Sequence, residues 1–141
     1  MTLNVFVPQF LHLAGLIIGL GAVTVIDTLG FTARKSIQGT QTTINAHHVT
    51  KPLIWLGTSL MIIGWMFLYD GSLYANIKTA ILPILIINGG FLSTYISPRL
   101  DHHRGKKKLL PPSLQHKIAT SMIISFISWW SIVILTLLHQ S

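Results

Sequence analysis

The stretch Phe6–Phe31, FVPQFLHLAGLIIGLGAVTVIDTLGF, decides the class of this protein. It is an unbroken apolar run of membrane-spanning length; a bilayer crossing needs about 20 such residues. A cleavable signal peptide is excluded as an expectation, because no positive residue precedes the run and it exceeds a signal core in length. Three further segments have the same character, near 52–69, 77–96 and 118–138. All four are too long for strands and lack the alternation of a membrane barrel. The expected fold is all-α: a single membrane domain over 1–141 made of four transmembrane helices. Pro52 is expected in the first turn of the second helix, and Ser97-Pro98 at the end of the third. Asp70-Gly71-Ser72 reads as a tight turn joining helices two and three.

Composition agrees. Half of the 141 residues are hydrophobic and 9% are charged, against about a quarter charged in soluble domains. The absence of cysteine excludes disulfides and thiolate metal sites. Nine of the ten Lys and Arg residues fall into two segments. Arg34, Lys35 and Lys51 follow the first span; Arg99, Arg104, Lys106, Lys107, Lys108 and Lys117 follow the third. Basic loops stay in the cytoplasm, so both termini are expected outside. The net charge of +7 is thus expected to meet anionic lipid, not nucleic acid.

Ionisable residues within a span are functional candidates. The first helix holds His12 and Asp27, about 22 Å apart along its axis, so they cannot touch. Gly15, Gly19 and Ala22 share the face of His12, whereas Gly21 does not. This strip reads either as a small-residue seam for close helix packing or as room for a flat macrocycle beside an imidazole ligand, a heme b site. A proton-relay or substrate-binding His12 is a third reading. Met61 is the candidate second axial ligand, with Met66 at similar depth and His139 at the outer end of the fourth helix. Lys78 is expected either to snorkel to the headgroups or to pair with a heme propionate. Asp27 is expected to form an interfacial ion pair with Arg34, Lys51 or Arg99, or to admit a proton or cation. Asn88-Gly89-Gly90 and the Ser121/Ser125/Ser128 stripe read as interhelical glue. Trp129 and Trp130, in mid-span, read as packing against another helix or a ring.

Near the basic loops, His47, His48, Asp101, His102, His103 and His116 form a layer whose donors suit zinc, nickel or iron. No phosphate loop, hydrolase triad or dinucleotide fingerprint occurs.

His12-Leu-Ala-Gly15, Asp27, Lys78, Asn88-Gly89 and Ser128-Trp129-Trp130-Ser131 together resemble a group of small four-helix bacterial inner-membrane proteins. More distantly, His12-x-x-Gly15 and Lys78 resemble the HemJ type of protoporphyrinogen oxidase, and His12 resembles the helix-start histidine of CopD-like membrane proteins. The resemblance implies a multi-pass protein of the inner membrane with heme b on His12. An Arg of the HemJ type is replaced here by Asp27, and its Asn-Glu pair has no counterpart. Three functions follow: a heme-binding redox or electron-transfer protein, which as an enzyme would be a membrane heme oxidoreductase; an accessory subunit of a larger membrane complex; or a small metal-ion, proton or solute transporter, working as a homo-oligomer.

Overall fold

The computed structural model describes residues 2–140, with the backbone alone at Gln140. The chain forms α1 (Leu3–Thr32), α2 (Ile37–Leu68) and α3 (Leu73–Phe91). A π-helical turn (Leu92–Ile96) joins α3 to α4 (Ser97–His102), and α5 is Pro112–Gln140. No strand occurs among the described residues. Four helical segments, with α3 to α4 counted as one, are long and apolar enough to cross a bilayer. The longest has 32 residues, about 48 Å at 1.5 Å per residue. It therefore exceeds the roughly 30 Å hydrocarbon core. The helices run alternately up and down, so one end carries both termini and the Asp70 turn, the other the basic segments. These are the terminal end and the basic end below.

Two expectations about helix limits are corrected. α2 begins at Ile37, fifteen residues before Pro52. Ser36 caps it by accepting a hydrogen bond from the Gly39 N–H at 2.9 Å, which satisfies one orphan donor of the first turn. The polar residues that read as a loop turn their hydroxyls onto their own helix: Thr40, Thr43 and Thr50 donate to the carbonyls of Ser36, Gly39 and Ala46. Pro52 therefore lies mid-helix, which a helix tolerates where neighbouring groups re-satisfy the backbone. The third span likewise continues past Ser97-Pro98. The Ser97 N–H bonds the Leu92 carbonyl across the wide π turn, and Pro98 falls in the first turn of α4, where its missing N–H costs least. At the basic end Gln41 ties the structure together. Its amide donates to the carbonyls of His103 and Lys106, and its carbonyl accepts from the Gly105 N–H at 2.8 Å.

The Asp70-Gly71-Ser72 turn forms as expected. Gly71 has φ +76°, a left-handed backbone that favours glycine, and the Ser72 hydroxyl caps α3 at the Ala75 N–H. The glycine strip of α1 is a packing seam. A Cβ on Gly15 would strike the backbone of Met61 and Gly57, and one on Gly57 would strike Gly19. Gly64 meets the backbone of His12 and Pro8 in the same way. Such close approach is how helices associate without a hydrophobic drive. Gly21 faces open space. Trp129, 1% exposed, lays its ring on Gly19, and Trp130 is 42% exposed on the outer surface of the bundle. Asn88 joins α3 to α5 through two bonds: its amide donates to the Ser121 carbonyl at 3.0 Å and its carbonyl accepts from the Ser121 hydroxyl at 2.7 Å.

Candidate functional site

Two polar centres lie inside the bundle, one above the other, separated by Trp129 where it rests on Gly19.

The first is near the terminal end. His12 and Lys78 are each 2% exposed. Nδ1 of His12 lies 2.9 Å from the Met61 carbonyl oxygen. A carbonyl only accepts, so Nδ1 carries the proton and Nε2 of the neutral ring is a lone pair. Nε2 faces Lys78 Nζ and Thr136 Oγ1, both at 3.4 Å. Lys78 Nζ also lies 4.0 Å from the centre of the Trp65 ring, a cation–π contact. Snorkelling is thus corrected: the amine of Lys78 turns into the bundle, where an imidazole nitrogen and an indole face receive it. His139 stands one turn beyond Thr136 on α5, with Nε2 3.2 Å from Asp70 Oδ2 and Nδ1 3.3 Å from Ser72 Oγ. Outside the spans, Asp70 accepts from the Ser72 backbone N–H at 3.0 Å, which with the nearby His139 holds its carboxyl below the usual range.

The residues at His12 do not fit a heme in this arrangement. A macrocycle needs a slot beside the ligating nitrogen. Gly15 is covered by α2 backbone and Gly19 by Trp129. Met61 meets His12 through its carbonyl oxygen, and Lys78 is engaged with His12 rather than with a propionate position.

The second centre is a cavity of about 410 Å³ in the basic half, walled by all four spans. Such a volume and a mainly apolar lining are typical of small-molecule sites. Trp129, Val23 and Leu85 line its apolar depth; Trp55, Ile54, Met122 and Leu92 continue the wall. Its polar groups are few. Trp55 is held by a bond to Ser93 Oγ at 2.8 Å, and His47 faces Ser97 Oγ at 3.3 Å. Arg34, Lys35 and His116 also line it. Asp27 is the sole acidic residue in the lining, and its Oδ2 is buried without a hydrogen-bond partner. The expected ion pair of Asp27 is corrected. Arg34 instead lies over the Phe31 ring at 4.9 Å, Lys51 donates to Ser97 Oγ, and Arg99 bonds the Tyr95 carbonyl.

The histidine layer is dispersed. His48 pairs with Asp101 at 2.6 Å, His102 with Lys106 Nζ and His103 with the Arg99 carbonyl, while His47 and His116 face the cavity. Among the described residues no three metal-ligating side chains converge. The His102 and His103 rings meet edge to face at 5.6 Å, but each turns its bonding nitrogen to a different partner. Sequence reasoning missed Thr136 and Trp65. Thr136 was detectable as the continuation, eight residues on, of the polar stripe through Ser128; Trp65 carried no signal beyond its place one turn from Met61.

No family model, no curated protein and no solved structure matches the chain.

Proposed function

We propose that this protein is a small carrier of the cytoplasmic membrane that binds a solute in the cavity of its basic half. The observation that carries the reading is the unpartnered Oδ2 of Asp27 in the wall of that mainly apolar space. A buried carboxylate oxygen without a donor is costly, and a solute bringing an N–H or O–H group would relieve it. The favoured solute is therefore an apolar molecule with one amine or hydroxyl group. Its body would lie along Trp55, Trp129 and Leu85, and its donor would sit on Asp27. The charge asymmetry of the loops supports a cavity in the cytoplasmic half of the bilayer. The packing of Trp129, a lining residue, on Gly19 suits a carrier open to one face. The basic residues around the inner rim suit anionic headgroups there.

The test is a thermal-shift screen of the full chain in lipid nanodiscs against matched arylalkyl amines, alcohols and carboxylic acids. Amines or alcohols should raise Tm in the wild type and not in Asp27→Asn. Counterflow in proteoliposomes should then show exchange of the same compounds. Stabilisation by none of them, or equal stabilisation of Asp27→Asn, would overturn the assignment.

A further inference from the structure

The cluster at the terminal end carries a second function, independent of what fills the cavity. We infer that Lys78 and His12 form an internal proton-exchange site near the terminal end of the bundle.

Each nitrogen of the pair has its own set of partners. His12 Nδ1–H is fixed on the Met61 carbonyl. On the other side of the ring, the Thr136 hydroxyl donates its single proton to the Ile132 carbonyl at 2.7 Å. The oxygen it turns toward His12 Nε2 is therefore an acceptor. His12 thus has an acceptor at both nitrogens, the set an imidazolium needs. Lys78 Nζ, at 3.4 Å from the same Nε2, is the donor that a neutral imidazole needs. The site holds two balanced states. In one, Lys78 is an ammonium on the Trp65 face and His12 is neutral. In the other, the proton has moved from Nζ to Nε2, leaving a neutral amine and an imidazolium between Met61 O and Thr136 Oγ1. No bond other than N–H changes, and no other reactant is required.

The charged groups facing the pair are few. α1 contributes His12 alone and α3 Lys78 alone. From α2 come the uncharged Trp65 and the Met61 carbonyl. α5 contributes Thr136 and, a turn further out, His139, whose ring lies 6.4 Å from that of Trp65. Among the described residues Asp70 is the acidic side chain at this end, and it is engaged with His139. A lysine cation buried in a span without a carboxylate beside it is the kind of group that marks proton and ion paths.

Trp65 supplies the reporter. The full chain is labelled with 5-fluorotryptophan, placed in nanodiscs and followed by 19F NMR, the Trp65 resonance being identified by its loss in Trp65→Phe. Between about pH 5 and pH 10, the span of the ordinary His and Lys ranges, the Trp65 resonance should move through a transition. It should vanish in the double variant His12→Leu/Lys78→Met, which leaves neither partner of the pair beside Trp65, and shift in Lys78→Arg, which keeps a cation that cannot deprotonate and leaves His12 alone to exchange a proton. It should survive in His139→Gln, which removes the surface pair. A Trp65 resonance that is flat in the wild type would overturn the proposal. So would a transition retained in the double variant, one unchanged in Lys78→Arg, or one abolished by His139→Gln alone.

Discussion

The amine of Lys78 lies 3.4 Å from Nε2 of His12, sixty-six residues away in sequence. The contact links the third span to the first through side chains alone and explains why a lysine near the start of α3 does not reach outward. It also gives the two residues opposite roles in stability. Lys78 brings a charge into the bundle; His12 is the group that accepts from it.

Removing each partner should therefore have different effects. His12→Leu leaves the buried amine without its acceptor and should destabilise by about 1–3 kcal/mol, the usual cost of an orphaned polar group. Lys78→Met removes the cation together with its need and should leave Tm unchanged or raised. The double variant should recover most of the loss from His12→Leu. Thermal unfolding in one detergent checks all three; additive losses would show the two residues to be uncoupled.

The seam between α1 and α2 makes a sharper packing prediction. Gly57 meets the backbone of Gly15 and Gly19, where neither helix can yield a side chain. Gly57→Val should cost at least the 1–3 kcal/mol of an overpacked core. Gly21→Ala, which enters open space, should be neutral within about 0.5 kcal/mol. Equal melting temperatures for the two variants would contradict the seam.

Much of this seam was legible in the sequence, because Gly15 and Gly19 fall on one helical face and Gly21 off it. The four spans and the Asp70-Gly71 turn were legible for the same kind of reason, being local in the chain. What the seam packs against was not legible, since no local pattern records that Gly57 and Gly64 lie opposite. The start of α2 was hidden because Thr, Gln and Asn look loop-like until their hydroxyls are seen bonded to the preceding turn. Asp27 stood out as a candidate, but its lack of a partner depends on where Arg34, Lys51 and Arg99 turn, and each finds a nearer ring, hydroxyl or carbonyl. The heme reading rested on space beside His12 that α2 and Trp129 fill.

Asn88 and Ser121 exchange two hydrogen bonds between α3 and α5. A double-mutant cycle of Asn88→Ala and Ser121→Ala should give a coupling energy of about 0.6 kcal/mol, with about 1.7 kcal/mol as a ceiling, the range for such bonds within membranes. Coupling near zero would reduce their geometry to proximity.

Asp70 sets a pH dependence at the terminal end. Its carboxyl is held low mainly by the Ser72 backbone N–H. A group whose folded value is depressed stabilises above its unfolded value, about 3.9 for Asp, and loses that contribution as pH falls through the folded value. The Asp70–Ser72 turn should accordingly hold at neutral pH and loosen in acid. Hydrogen exchange at the Ser72 amide should rise relative to its intrinsic rate as pH falls below about 4, and be raised already at pH 7 in Asp70→Asn. An unchanged protection factor in that variant would contradict the assignment.

On the proposed reading the cavity of the basic half is reached by solutes from the basic end. The chain has no cysteine, so a single introduced thiol reports without background. Ala119 lines the cavity, while Ile127 is 59% exposed on the outer surface of the bundle. With the full chain in oriented proteoliposomes, Ala119→Cys should react with a water-soluble thiol reagent applied at the basic side. An arylalkyl amine or alcohol that stabilises the wild type should slow this reaction, and Ile127→Cys should stay unreactive to the same reagent. An Ala119→Cys thiol that is inert from the basic side, or that reacts at the same rate with and without such a compound, would contradict the account.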